Sequence, residues 1–172
     1  MCIFFVIHGG IFMENTKTLN TAEAEGIRNT PEIKILDRIY KNSRMGSQSL
    51  IDLMPKIKDE DFRSDITVQI TGYESYASKA GQMLKDAGVK PEDENFLTKA
   101  GAKFGMVMNT MTDSTTSHLA EMVVQGSTMG ITDLTHVINE YENSDEVKDG
   151  ILLAKEVVRF EEHNLTKMKK YL

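Results

Sequence analysis

Glu74, His118, Glu121 and Glu161 are the polar side chains whose types and spacing could do chemistry, because each lies on or beside an apolar stripe of helical period. Glu161 sits near the centre of the stripe Val147, Ile151, Ala154, Val158, Glu161, Leu165, Met168 and Leu172, flanked by Val157, Asn164 and Tyr171. Burying an ionised carboxylate is costly unless it is paired or bound to a metal. Glu162 and His163 project away from that face. His118 lies on the line Phe104, Met108, Met111, Thr115, His118, Met122, Gln125 and Met129, with Glu121 three residues on, and side chains at i and i+3 can reach one ion. Tyr73 is central on the stripe of the preceding helix and Glu74 is on its flank. One reading makes Glu74, His118, Glu121 and Glu161 ligands for iron or manganese, with Tyr73 behind them. The plainer reading is structural. Glu161 is neutral, or hydrogen-bonded to Tyr73, Tyr76 or Thr115, His118 bonds Glu161 across the core, and Glu74 and Glu121 lie on partly solvated edges. The methionines between Met106 and Met129 then fill a core poor in aromatic residues. Paired with His118, one of them would be the ligand set for haem.

The elements that must position these residues are helices. Thr30-Pro31-Glu32 opens the first, with Thr as cap and Pro tolerated in the first turn. Its apolar positions are Ile33, Leu36, Ile39, Tyr40, Leu50, Leu53, Met54 and Ile57, and Pro55 ends or kinks it. Small residues such as Gly46 and Ser47 in its middle allow a neighbouring helix to come close. The second helix runs from about Asp59 to Ala87, with Asp59, Glu60 and Asp61 at its positive end and Gly88 as C-terminal stop. Its stripe is Phe62, Ile66, Gln69, Ile70, Tyr73, Ala77, Ala80 and Leu84.

From Pro91 to Asn143 a single straight helix would be roughly 75 Å long, so it must bend or break. The candidate breaks are the hydroxyl-rich run Thr110 to Ser117 and the segment Gly126 to Gly130. The second is favoured, which leaves a short helix from about Thr132 to Glu142. Ser144-Asp145-Glu146-Val147 reads as a capping box that opens the last helix. No period-two alternation or Asn-Gly hairpin points to a sheet. The expected architecture is all-α, an antiparallel four-helix bundle with an additional short helix, residues 30–172 forming one domain.

Composition narrows the classes. The 172 residues are 40% hydrophobic and 7% aromatic, without Trp, and the formal net charge of −6 argues against nucleic-acid binding. The apolar opening Met1 to Phe12 is too short to span a bilayer, and nothing resembles a secretory signal, so the chain is expected to be cytoplasmic and away from membranes. Met13-Glu14-Asn15 reads as a natural start. The pair Gly9-Gly10 fits the purine-rich codons of a bacterial ribosome-binding site, so residues 1–12 are expected not to be native. Residues 1–29 as a whole read as a flexible lead-in. The single Cys2 excludes an intramolecular disulfide and a Cys-based zinc site. No Walker loop or dinucleotide-binding glycine pattern is present.

The helix layout of residues 31–172, and the run Val157-Val-Arg-Phe-Glu-Glu-His-Asn-Leu in particular, resembles the ferritin-like superfamily and the final helix of rubrerythrin-type proteins. That resemblance implies a bundle with carboxylates and histidines directed inward. The family pattern is Glu-x-x-His on two helices and one Glu on each of the others. Here His118 and Glu121 stand in the reverse order, Glu161 and His163 are too close in sequence, and the first helix has no acid on its stripe. The expectation is therefore a noncatalytic bundle that self-associates or binds a partner, with iron or manganese binding as the alternative. A homodimer through the stripe Ile131, Leu134 and Ile138 is the partner expectation.

Overall fold

The computed structural model describes residues 26–91, 112–141, 144 and 147–172, and these are helical with no strand among them. Among the described residues there are four long helices: α1 (Pro31–Leu53), α2 (Glu60–Asp86), α3 (Thr116–Tyr141) and α4 (Lys148–Met168).

The first two follow their local chemistry. Pro31 occupies the first turn of α1, and the helix gives way at Leu53 to a 3-10 turn, Met54–Lys56, built around Pro55. The Asp59 side chain accepts the Phe62 N–H at 2.8 Å and caps α2. Past its other end Gly88 takes φ 77°, the left-handed conformation that closes a helix cheaply in glycine. The expected stripe of α2 is inside, with Ile70 half-buried. Gly46 lets the Tyr73 ring come so close that a Cβ there would lie 2.8 Å from it.

The third and fourth helices depart from expectation. α3 runs unbroken through Gly126 and Gly130, so there is no separate short helix from Thr132. The break lies in the hydroxyl-rich run, where residues 112–115 are not helical. There Asp113 accepts the Thr115 N–H, and the Thr115 hydroxyl caps α3 by accepting the His118 N–H. Glycine is costly in a helix, but packing of one face supplies most of a helix's stability in a protein. That face is Leu119, Ala120, Val123, Ser127, Gly130, Leu134, Val137 and Ile138, offset by a residue from the expected stripe. Met129 is consequently 71% exposed. Leu134 and Ile138 belong to the core, which removes them as a dimer surface.

The last helix begins at Lys148 rather than Ser144, and its cap Val147 offers no side-chain acceptor. Glu32 at the start of α1 takes that role, accepting the Gly150 N–H at 2.9 Å. Asp145 and Glu146 of the expected capping box lie outside the described residues, as do residues 1–25 of the lead-in and the stripe positions Phe104, Met108 and Met111. Residues 26–28 form a helical turn, and Ile27 packs against the core.

Helix directions follow from which residues meet. Tyr40 lies beside Gly81 and Gly46 beside Tyr73, so α1 and α2 are antiparallel. Asp65, Tyr73 and Lys79 meet Lys170, Glu161 and Glu156, so α2 and α4 are antiparallel. Glu32 and Asn42 meet Gly150 and Glu161, so α1 and α4 run the same way. Arg38 and Asn42 meet Asp133 and Gly130, so α3 opposes α1. It follows that α2 and α3 share a direction. The apolar core has two clusters: one around Ile35, Leu36, Leu84, Leu134 and Val157, the other around Leu53, Phe62, Leu119 and Met168. α2 ends in the first and α3 begins in the second, so the end of α2 and the start of α3 lie at opposite ends of the helices.

Candidate functional site

The interior changes character between the two clusters. Along α1, Ser43 and Ser47 separate Tyr40 from Leu50. Ser127 separates Val123 from Leu134 on α3, and Glu161 and Asn164 separate Val157 from Met168 on α4. All are buried, as is Gln69 on α2. These positions form one polar layer across the core.

Glu161 is its centre, 1% exposed as the stripe anticipated. Its Oε1 accepts the Tyr73 hydroxyl at 2.9 Å and the Asn42 amide at 3.1 Å. Both bonds use the same oxygen, and Oε2 has no hydrogen-bond partner among the described residues. α3 closes the site with Gly130, where a Cβ would fall 2.6 Å from Oε1 and 3.0 Å from Oε2 of Glu161. Tyr73 is fixed from behind by the Phe160 ring, packed edge-on at 5.1 Å. Phe160 sits over Gly72 so closely that a Cβ there would run into its ring.

The electrostatics follow from burial. Loss of water pushes the Glu161 carboxyl up to about 7, although the bonds from Tyr73 and Asn42 favour its charged form. The Tyr73 phenol is held well above its ordinary range, first by burial and then by the charge and hydrogen bond of Glu161, while a hydrogen bond with Ser127 opposes the shift. Asn42, Ser127 and Gly130 are the members that sequence reasoning missed. Asn42 is half-buried off the apolar line, and Gly130 was taken for a break.

The other expected ligands lie elsewhere. Glu74 is exposed and accepts a long 3.4 Å bond from the Ser47 hydroxyl. His118 and Glu121 pair with each other at 3.7 Å on a solvated edge, 38% and 56% exposed. Neither His118, Tyr76 nor Thr115 is the partner of Glu161; Tyr73 is. Gly130 is level with Glu161, and His118 lies twelve residues, roughly 18 Å of helix, from Gly130. The proposed ligand set of Glu74, His118, Glu121 and Glu161 is therefore not brought together. Among the described residues no group of three or more His, Cys, Asp or Glu side chains is placed to hold a metal ion. The described helices also include none long and apolar enough to cross a membrane.

A cleft of about 560 Å³ opens between α1 and α2, lined by Tyr40, Arg44, Glu74, Lys85 and Lys90 among others. Glu74, which accepts the Ser47 hydroxyl of the polar layer, forms part of its wall. Comparison with protein-family models, with curated proteins and with solved structures finds no match for this chain.

Proposed function

We propose that this chain is a ferritin-like antiparallel four-helix bundle acting as a noncatalytic cytoplasmic module that self-associates or binds a protein partner. The direction pattern supports the fold reading. α1 and α2 are antiparallel, as are α3 and α4, and the second and third helices run the same way, as in ferritin-like bundles with one long crossover.

The observation that carries the functional reading is the state of Glu161. Its hydrogen-bond partners are a phenol and an amide, and the carboxylates of Glu74 and Glu121 lie on the surface. A lone buried carboxylate of this kind serves core specificity better than metal redox chemistry, which needs several inward ligands. Iron or manganese would have to be held by one carboxylate and neutral oxygens.

Two measurements on untagged protein test the proposal. Equilibrium dialysis against ferrous and manganous ions should leave well under one ion per chain, with no difference between wild type and Glu161→Ala. Sedimentation velocity should reveal a concentration-dependent oligomer if self-association is the function. A stoichiometric metal lost in Glu161→Ala would overturn the noncatalytic reading. A strict monomer would exclude the self-associating form and leave a different protein as the partner.

A further inference from the structure

Glu161 is a carboxylate in the middle of a helical protein with no cation opposite it among the described residues. From α1 the facing group is Asn42, from α2 Tyr73, and from α3 Gly130, with Ser127 beside the Tyr73 hydroxyl. Tyr73 is the titratable member of that set, and none carries positive charge. A buried charge without a counter-charge is among the costlier things a core can hold. Both hydrogen bonds fall on Oε1, so Oε2 must be satisfied by something other than the described side chains once it is charged.

The surroundings show where relief would come from. Moving one turn toward the N-terminus of α2 reaches Gln69, and one turn toward the C-terminus of α4 reaches Asn164. These helices are antiparallel, so the two steps go the same way. Both amides are buried, and Gln69 Nε2, Gln69 Oε1 and Asn164 Nδ2 lack hydrogen-bond partners among the described residues. They stand one helical turn from the level at which Tyr73 meets Glu161. The wall on the remaining side is Gly130, held against both carboxyl oxygens with no room for a methyl group. Water reaching an ionised Oε2 would have to widen that contact.

We propose that Glu161, Tyr73, Asn42 and Gly130 form a proton-linked latch, in which neutral Glu161 keeps α3 seated on α1 and α4, and ionised Glu161 admits water and loosens α3. The latch is independent of whether the chain associates with itself or with a partner. It makes the exposure of the buried α3 face a function of pH near neutrality.

The test uses the whole chain. The carboxyl carbon of Glu161 is followed by NMR from pH 4 to 9, and amide hydrogen exchange of residues 123–138 is measured at pH 6 and pH 8 with the intrinsic rate divided out. The carbon should titrate near neutrality. Opening of α3 should rise roughly tenfold between pH 6 and 8 in the wild type, from linkage through the carboxyl of Glu161. Glu161→Gln, which keeps the shape and cannot ionise, should flatten that rise. A midpoint between pH 4 and 5, or the same rise in both proteins, would overturn the latch. If Glu161→Gln does not fold, the wild-type titration decides, with Tyr73→Phe expected to move its midpoint upward.

Discussion

Tyr73 contributes to the polar layer through one hydroxyl, and its deletion has a definite sign. The bond from Tyr73 to Glu161 favours the charged carboxylate, against burial that favours the neutral form. Tyr73→Phe should therefore raise the carboxyl's titration further and cost about 1–2 kcal/mol, with the larger loss at pH 8, as read from urea midpoints at pH 6 and 8. Linkage sets the wild-type profile in the same direction. The Glu161 carboxyl is raised from 4.5 to about 7 on folding, so its contribution is most favourable below pH 4.5 and declines as pH rises through about 7. The full decline is about 3 kcal/mol. Glu161→Gln should remove this decline and leave the variant more stable than wild type at pH 8, provided the amide keeps the Asn42 and Tyr73 contacts. A variant whose urea midpoint falls with pH as the wild type's does would contradict the assignment. Glu161 and Tyr73 could be found in the sequence because each interrupts an apolar period. Asn42 could not, since it reaches Glu161 across 119 residues of chain and no local pattern marks it. His118 was placed inside because a methionine-rich line suggested the wrong face. A shift of one residue turns a helix by about 100 degrees, enough to bring His118 to a solvated edge.

At the scale of the elements, α1 and α2 were legible because their ends carry local chemistry: Pro31, Pro55, Asp59 and Gly88 act within a turn of where they stand. α4 was less so, because the acceptor for its first turn comes from Glu32 at the far end of the sequence. The glycines of α3 misled for a related reason. A glycine in a sequence reads as a break, but whether it breaks a helix or admits a neighbour depends on what packs there. Gly126 and Gly130, four residues apart on α3, separate these two cases. A Cβ at Gly126 meets nothing within 4 Å, whereas one at Gly130 meets Glu161 and Asn42 below 3.0 Å. Gly126→Ala should stabilise the protein by about 0.5–1 kcal/mol through helix propensity alone. Gly130→Ala gains the same propensity but must displace buried polar atoms, and should destabilise by about 1–3 kcal/mol. Thermal melts of the two variants at pH 7 should move in opposite directions. Two upward shifts would mean that α3 is not pressed against Glu161.

The arrangement of the whole molecule rests on the connection between α2 and α3. Sequence periodicity required a break between Pro91 and Asn143 but gave no direction to the helix that follows, because a repeat of 3.6 residues is the same read either way along an axis. Direction comes from long-range partners. α2 meets α4 in descending order at Asp65–Lys170, Tyr73–Glu161 and Lys79–Glu156, and α3 meets α1 in descending order at Arg38–Asp133 and Asn42–Gly130. With α1 and α4 running together, α2 and α3 must run together too. The end of α2 and the start of α3 then lie at opposite ends of the molecule. A bundle of alternating up-and-down helices would place them side by side, within about 15 Å. The 27 residues of α2 span about 40 Å, so spin labels at Asp86→Cys and Thr116→Cys should be separated by about 35–45 Å in a pulsed dipolar measurement. Cys2 is changed to Ser so that these two labels alone are read. A second pair at Asp86→Cys and Glu140→Cys, at the end of α2 and the end of α3, should give the shorter distance. Reversal of that order would exclude the crossover and with it the ferritin-like reading, whereas the expected order would leave the polar layer where Glu161 meets Tyr73, midway along helices that all contribute to it.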